Sequence, residues 1–507
     1  MPLSVTPIGH DIERMCGFIF RRVAVLLLVL SAIPVAGQAQ HAQTSTGTLT
    51  LPAASLSVDE LAFVGAIPFD TTPVPGNAHG DTLSQKLEWA DQPPNVPRAL
   101  GGIAVTNVLA IGINVLWRDE PSTHPGSWWD NIQGGWEWDT NPIRVNSFEH
   151  PWAGAAYYNV ARANGLSFYA ALPATAAGSL MWELFGEPRP PATNDVLTTT
   201  LGGVALGEPL RRMSLIVLDN QASGFNRFWR EAVVFVFNPG LGLDRLSRGQ
   251  LWSTGANPPD RRPQALAAQV EMGAVRLTPA GGSPAQPADA AILRFGLQYG
   301  DPFDGERITP FSSFSGTMEM SSLSAVLTQL GARGIITAIG QKDAPTDRVV
   351  GVFLDFDYRW DGRVGFAEQS IGLGLLSRFG NERWRVKTDL SAEAVPLLAS
   401  TDRWSTPATG RYYEFGSGLG GRAVAQLEHH GRRLVYGSLR AYWSATLNGA
   451  SSSKLIQIAE IEARTPPLGP LSLGANYRLY RQSSRYDDRR TGNESMSSFS
   501  IFLSSGG

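Results

Sequence analysis

The stretch Val352-Phe-Leu-Asp-Phe-Asp-Tyr-Arg-Trp360 decides the fold class of this chain. Its even-numbered positions are all apolar, and three of its odd-numbered positions carry Asp or Arg. A period of two places successive side chains on opposite faces of a β-strand. The stretch therefore predicts a strand with one apolar face and one charged face.

The same alternation recurs after about residue 264, for example over residues 293–299, 384–393, 435–443 and 471–480. A soluble sandwich would also alternate in this way, so alternation alone leaves two architectures open. Strand lengths of about 10 residues, an export signal and a terminal strand near Ser497–Leu503 with Phe499 and Phe502 favour a membrane barrel. The closing Ser-Ser-Gly-Gly, without a terminal aromatic residue, counts against it. We predict an antiparallel transmembrane β-barrel of about 12 strands over residues 264–504.

The N-terminal segment has the pattern of a secretory signal. Arg21-Arg22 precedes the apolar run Val23–Ala36, which is followed by Gly37-Gln-Ala39. This order of basic, apolar and small residues predicts a signal peptide over residues 1–39, and the run is short for a spanning helix of about 20 residues. Residues 40–100 are rich in Thr, Ser, Pro, Ala and Gly, which predicts a periplasmic linker. We therefore expect an exported protein of the outer membrane.

Composition limits the partners of this chain. A length of 507 residues predicts two or three domains, and the net charge of −3 gives no basic field for nucleic acid. We expect outer-membrane lipid as a partner, with envelope or barrel-assembly proteins as further candidates, and no nucleic acid.

Between the linker and the strands, residues 101–240 have helical periodicity. Pro151 starts one segment at the first helical position and Gly165 follows its end, as helix caps require. Residues 101–117 are apolar apart from two asparagines, which suits a buried helix better than a spanning one. We predict a small helical domain, facing the periplasm, before the barrel, so that the fold class is α+β.

Four residues of this domain are candidates for chemistry: His150, Glu183, Glu187 and Asp195. Glu183 and Glu187 are four residues apart, where like charges repel unless a cation lies between them, and we expect Arg162 to pair with Glu183. His150 before Pro151 is either part of a helix start or a general base oriented by a carboxylate. Structural ion pairing is the alternative for Glu183 and Glu187, and a helix cap is the alternative for Asp195.

Further polar residues predict a structural network: Asn146, Arg162, Ser179, Asn194, Thr199, Glu208 and Arg211. The chain has no zinc-ligand spacing and no nucleophile or phosphate-loop motif in a supporting context, so we expect neither a metal nor a cofactor.

The ordered series from Asn146 through His150-Pro151, Arg162, Trp182-Glu183 and Asn194-Asp195 to Gly207-Glu208 carries a resemblance. It resembles the bacterial family called domain of unknown function 3943, over roughly residues 100–220. The resemblance implies an envelope-associated protein, often with a β-rich C-terminal part, and transfers no catalytic residue.

Two function classes stay open at this point. In the first, the helical domain plugs or braces the barrel, and the protein has a channel, transport or envelope-assembly role. In the second, the protein is a membrane-embedded enzyme that acts on envelope lipid or cell-wall material through the four candidate residues. Convergence of these side chains at about 3–5 Å would favour the enzyme.

Overall fold

The computed structural model describes residues 93–117, 123–257, 261, 263, 265–280, 286–304, 308–323, 327–339, 346–362, 364–402, 411–467 and 469–506. The predicted signal peptide and nearly all of the predicted linker lie outside these residues.

Helices come first along the chain, in agreement with the predicted α+β order. The first begins at Val96, five residues before the predicted start of the helical domain. The α-helices and π-helical turns are α1 (Val96–Trp117), α2 (Pro125–Gln133), π1 (Val145–Glu149), α3 (His150–Ala163), α4 (Phe168–Met181), π2 (Trp182–Gly186), α5 (Thr193–Leu197), π3 (Thr198–Gly202), α6 (Gly203–Val217), α7 (Gly224–Phe237) and α8 (Pro239–Ser247).

Twelve antiparallel strands follow and close into one barrel, in which each strand pairs with its neighbours in sequence and β1 pairs with β12. This confirms the predicted barrel and its strand number. The strands are β1 (Leu266–Ala280), β2 (Ala288–Tyr299), β3 (Phe314–Ser321), β4 (Leu327–Ile339), β5 (Arg348–Trp360), β6 (Gly365–Gly380), β7 (Trp384–Thr401), β8 (Tyr413–His429), β9 (Arg432–Asn448), β10 (Ser452–Arg464), β11 (Leu471–Tyr486) and β12 (Thr491–Gly506).

The strands alternate between the lumen and the outer wall as the sequence predicts. The outward rows carry large exposed apolar side chains, among them Leu373, Leu390, Leu439 and Ile501, each about half exposed. A closed antiparallel barrel with an apolar outer face is the form in which β-structure crosses a membrane, because it leaves no unpaired backbone edge in lipid. The protein is therefore an outer-membrane β-barrel.

Ion pairs across the lumen connect strands that are not neighbours in the wall. Arg333 on β4 lies 2.9 Å from Asp389 on β7, and Arg464 on β10 lies 2.6 Å from Glu271 on β1. Further pairs of this kind are Arg422–Asp355, Arg440–Asp357 and Lys454–Glu414. Side chains of the barrel itself therefore reach across the described part of the lumen.

The helical domain packs on the outer wall of the barrel. Phe356 points outward, because it pairs with the outward-facing Ala332 and lies between two aspartates that face the lumen. An outward side chain would meet lipid, yet Phe356 is only 1% exposed. The outward residues that form a core together with the helices are Ala332, Phe356, Tyr358, Ala367, Leu397, Ala399, Tyr413 and Phe415. The predicted plug is therefore wrong for the described residues, since the apolar side chains that the helices cover point away from the lumen. Bracing of the barrel stays a prediction.

Contacts with the wall reach both ends of the barrel. We call the end where β1 begins and β12 ends the terminal rim, and the opposite end, where β8 begins, the far rim. At the terminal rim, Arg212 donates to the carbonyl of Pro310 at 2.8 Å. At the far rim, the rings of Phe148 and Tyr358 lie 5.6 Å apart, and Asn146 donates to the Tyr413 hydroxyl at 2.7 Å. The domain thus lies beside the wall over its height; that it faces the periplasm stays a prediction.

One helix of this domain has an exposed apolar surface. Among the described helices, α1 is long and apolar enough over Val96–Leu116 to cross a membrane, by length and composition. Val108 and Leu116 on this helix are 66% and 74% exposed. The expectation of a buried helix over residues 101–117 is therefore wrong: most of α1 faces outward beside the lipid-facing barrel.

Glycines allow the helices at the centre of the domain to approach closely. A Cβ on Gly154 of α3 would lie 1.9 Å from the carbonyl oxygen of Thr199 and 2.9 Å from Cα of Gly203. Both neighbours are backbone atoms, which cannot move aside as the end of a flexible side chain can.

We predict that Gly154→Ala separates α3 from π3 and α6 and destabilises the helical domain by several kcal/mol, as overpacking of a close contact does. Gly101→Ala in the neighbouring helix α1 is the matched control, because a Cβ there meets no atom within 4 Å. Limited proteolysis of both variants in vesicles tests this: rapid cleavage of the helical domain is expected in the first variant alone, with the barrel intact. Equal resistance of the two variants would contradict the packing.

Candidate functional site

Three π-helical turns bring the candidate residues together near the far rim. His150 directly follows π1, Glu183 lies in π2, and Thr199 lies in π3, four residues after Asp195. A π-turn inserts one residue into a helix and rotates the side chains beyond it, and such turns are frequent at functional sites. The residue types could be singled out from the sequence, but periodicity cannot reveal this change of helical register.

His150 lies between a carboxylate and a hydroxyl. Its Nε2 is 3.5 Å from Oδ2 of Asp195, slightly longer than a good hydrogen bond, and its Nδ1 is 3.3 Å from Oγ1 of Thr199. Asn194 holds the carboxylate in place by donating from Nδ2 to Oδ1 of Asp195 at 2.5 Å. All four side chains are buried. An imidazole in this setting can exchange a proton with the carboxylate.

A third member of the cluster, Asp139, is not among the residues singled out from the sequence. Its backbone N–H donates to Oδ1 of Asn194 at 2.8 Å, and its Oδ2 has no hydrogen-bond partner. One ligand atom each from Asp139, His150 and Asp195 lies within 4.8 Å of the other two. Asp139 follows the tryptophan-rich segment 128–138. A single acidic residue beside so many aromatic residues gives no sequence signal of a site.

Glu183 has a different partner from the predicted one. Its Oε2 accepts from the backbone N–H of Ala192 at 2.8 Å, and its Oε1 has no hydrogen-bond partner. The predicted pair with Arg162 is wrong, because Arg162 binds Glu208 at 3.0 Å instead. Burial, helped by the carboxylates of Asp195 and Glu187, raises the pKa of Glu183 to about 9, so this side chain is neutral at pH 7.

Asp195 is also in an environment that disfavours its charge. Burial, together with the carboxylates of Asp139 and Glu187, raises the pKa of Asp195 well above its usual range. Among the described residues, no arginine or lysine forms a salt bridge with Asp139, Glu183 or Asp195. The guanidinium of Arg411 comes near, but it donates to the backbone carbonyl of Asp139 at 2.7 Å.

The remaining predicted residues near this cluster have supporting positions. Glu187 lies at its edge, where Oε1 accepts from Nε1 of Trp182 at 2.6 Å. Asn146 connects the cluster to the barrel through the Tyr413 hydroxyl, while its Oδ1 is without a partner. Ser179 is buried with no hydrogen bond at Oγ. Tyr413, on the outer wall, could not be assigned to this site from sequence because it lies in a strand more than 260 residues away.

Glu208 is the centre of a second buried network in the helical domain. Its carboxylate lies 3.0 Å from Arg162, 3.4 Å from Arg211 and 3.1 Å from Arg212, and it accepts from the Tyr158 hydroxyl at 2.7 Å. Burial alone would raise the pKa of Glu208, but the three guanidinium groups outweigh it and lower the pKa to about 2. Glu208 is therefore ionised at neutral pH, and its network connects α3 to α6.

We predict that Glu208→Gln destabilises the helical domain by about 3–5 kcal/mol, because it leaves three buried guanidinium groups without their anion. Arg162→Met in the same chain should recover part of the loss. Glu149→Gln is the control, since Glu149 pairs with Arg144 where both side chains are about a quarter exposed, and such pairs contribute about 1 kcal/mol or less.

Urea unfolding of the helical domain at several pH values measures this effect. A depressed pKa stabilises the folded state above the unfolded value of 4.5, and this contribution is lost as the pH falls towards about 2. The difference between the native chain and Glu208→Gln should therefore shrink below pH 4. Purely additive losses in the double variant would show that Glu208 and Arg162 are not coupled.

Comparison with known sequences identifies the helical domain. The family model "Domain of unknown function (DUF3943)" matches residues 135–240, which include both buried networks apart from residues of the barrel. This confirms the resemblance, with a match that begins and ends later than expected. No curated protein matches the chain.

Solved structures similar to this chain are barrels. They include the NanC porin, with 9% identity over 45% of this chain and 98% of that chain and a TM-score of 0.24. OmpT, an outer-membrane protein of Vibrio cholerae, has 9% identity over 48% and 99% of the two chains and a TM-score of 0.21. The copper transporter OprC has 12% identity over 50% and 45%, with a TM-score of 0.20. Scores this low carry no argument about cargo or activity.

Proposed function

We propose that this protein is an outer-membrane enzyme that acts on envelope lipid, with the helical domain as its active part and the barrel as its membrane scaffold. The observation that carries the proposal is the cluster of Asp139, His150 and Asp195, buried in helices that pack on the lipid-facing wall. Nε2 of His150 and Oδ2 of Asp195 are 3.5 Å apart, so that a small closure brings them into the hydrogen-bond reach that acid–base chemistry uses. Glu183 adds a neutral carboxyl that is able to donate a proton.

Lipid is the substrate class that suits this location. A site beside the outer wall of a membrane barrel is reached sideways from the bilayer. The segments around it expose apolar and aromatic side chains, among them Trp129 in α2 and Trp136 in the loop after it, which are 59% and 50% exposed. Tryptophan is enriched where proteins meet the headgroup layer. A molecule with an apolar tail and a polar headgroup matches both parts of this surface.

The lumen supports the scaffold role. An open channel needs a continuous aqueous path, whereas pairs such as Arg333–Asp389 and Arg422–Asp355 join strands across the described lumen. Breaking a buried ion pair costs about 3–5 kcal/mol, so opening this lumen requires several pairs to separate together.

A channel or transport role is the second candidate, and two observations favour it. The barrel has the architecture of outer-membrane porins and transporters, and charged side chains line its lumen along the strands. If the ion pairs of the lumen rearrange when a cargo enters, the same barrel becomes a gated transporter, braced on one side by the helices.

To test the proposal, the full chain is purified from outer membranes and reconstituted in vesicles of phospholipid and lipopolysaccharide, and the lipids are followed by mass spectrometry. We expect a time-dependent change in one lipid class, slowed by about 100-fold or more in His150→Gln, as loss of an acid–base group does. Asp389→Asn in the lumen is the control and should keep the activity.

Conductance across a planar bilayer separates the two candidates. The proposed scaffold gives no open-channel current, in the native chain as in His150→Gln. Unchanged lipids together with a steady current would contradict the enzyme and support the channel. Lipid turnover at the same rate in His150→Gln would contradict the assigned site.

A further inference from the structure

The cluster of Asp139, His150 and Asp195 brings three possible metal-ligand atoms together, which proton exchange alone does not require. Three oxygen or nitrogen atoms, one from each residue, converge within 4.8 Å of one another, and all three residues are buried. The residues come from separate parts of the chain: a loop before π1, the first turn of α3, and α5. Two carboxyl groups this close can be buried together only if they share a proton or hold a positive ion between them.

Unpartnered oxygen atoms around the cluster give a second, independent observation. Oδ2 of Asp139 and Oε1 of Glu183 have no hydrogen-bond partner, although the two residues are only 8% and 1% exposed. A buried polar atom without a partner costs about 1–3 kcal/mol. The amide oxygen of Asn146, fully buried beside Tyr413, also lacks a donor. Oδ2 of Asp139 and the amide oxygen of Asn146 are thus buried acceptor atoms that receive no N–H or hydroxyl donor.

We propose that Asp139, His150 and Asp195 bind one divalent metal ion. A cation at this point satisfies the acceptor atoms and neutralises the two carboxylates, which no arginine or lysine among the described residues does. Its part in lipid chemistry rests on the function proposed above, while the binding itself does not.

The donor set selects the class of metal. An imidazole nitrogen with two carboxylate oxygens suits a first-row transition ion such as Zn²⁺, because Mg²⁺ and Ca²⁺ prefer oxygen ligands alone. Bonds of about 2.1 Å in a tetrahedral site place ligand atoms roughly 3.4 Å apart. His150 Nε2 and Asp195 Oδ2 are already 3.5 Å apart, and the ligand atom of Asp139 lies within 4.8 Å of both, so that an inward shift of Asp139 completes the set.

The surrounding residues have the arrangement that a metal site needs. Asn194 donates to the other oxygen of Asp195, and Thr199 contacts the second ring nitrogen of His150, so that both ligands are oriented by neighbours. Three protein ligands leave a fourth position of a tetrahedral ion open for water or substrate, as in catalytic zinc sites. When bound, such an ion supplies a Lewis acid and an activated water.

Equilibrium dialysis of the chelator-stripped full chain in detergent against Zn²⁺, with the metal counted by mass spectrometry, tests the proposal. His429 and His430 are an adjacent surface pair with ring centres 4.4 Å apart, and they could hold a second ion. The measurement is therefore made with both replaced by Gln. We expect one ion per chain, with an affinity lowered at least about 100-fold in Asp139→Asn and in Asp195→Asn.

Two controls keep the result interpretable. Asp130→Asn changes a nearby acid outside the cluster and should leave the affinity unchanged. Heat-modifiable gel mobility and protease resistance show whether each variant is folded. Absence of a bound ion in the native cluster, or full affinity in folded Asp139→Asn and Asp195→Asn, overturns the metal site. One ion per chain without any change in lipids keeps the site and contradicts the enzyme instead.

Discussion

The alternation of inward and outward side chains in a closed barrel wall is the constraint on which the rest of this structure depends. Each strand must send one row of side chains to the lumen and the other outward, and backbone pairing around the barrel fixes the register. Phe356 and Tyr358 point outward because Asp355 and Asp357 point inward. The helices that cover those aromatic residues therefore lie outside the barrel, where a membrane protein meets lipid.

Buried charge is treated in two ways in this molecule. Around Glu208, and between Arg464 and Glu271 in the lumen, carboxylates meet guanidinium groups at 2.6–3.4 Å, which offsets part of the cost of taking both charges out of water. Near the far rim, Asp139, Glu183 and Asp195 have only a histidine and backbone or amide donors. Compared with the Glu208 network this cluster is short of positive charge, as is Glu368 in the lumen, whose two oxygens have no hydrogen-bond partner. Buried carboxyl groups of this kind are frequent at functional sites, which makes the cluster a candidate.

The sequence was sufficient for the barrel and insufficient for the site. A period of two is a local property, so residues such as Val352, Leu390 and Leu439 could be assigned to the outward face without any structure. The partners of Glu183 depend on three π-turns and on a helix packed against strands far along the chain, and neither leaves a local signal. Asp139 and Tyr413 were missed for that reason. An outward row of apolar side chains has the same sequence pattern whether helices or lipid cover it. The position of the helices on the wall could therefore not be predicted.

Cross-linking between the helical domain and the two faces of one strand tests the central claim most directly. In a Cys16→Ser background, which removes the single native cysteine, Phe148→Cys is combined with Tyr358→Cys or with Asp357→Cys. A short bifunctional thiol reagent is then applied to the protein in membranes. Helices on the outer wall predict a cross-link with position 358, which faces outward, and none with position 357, which faces the lumen. The reverse pattern would place the domain inside the barrel and contradict this account.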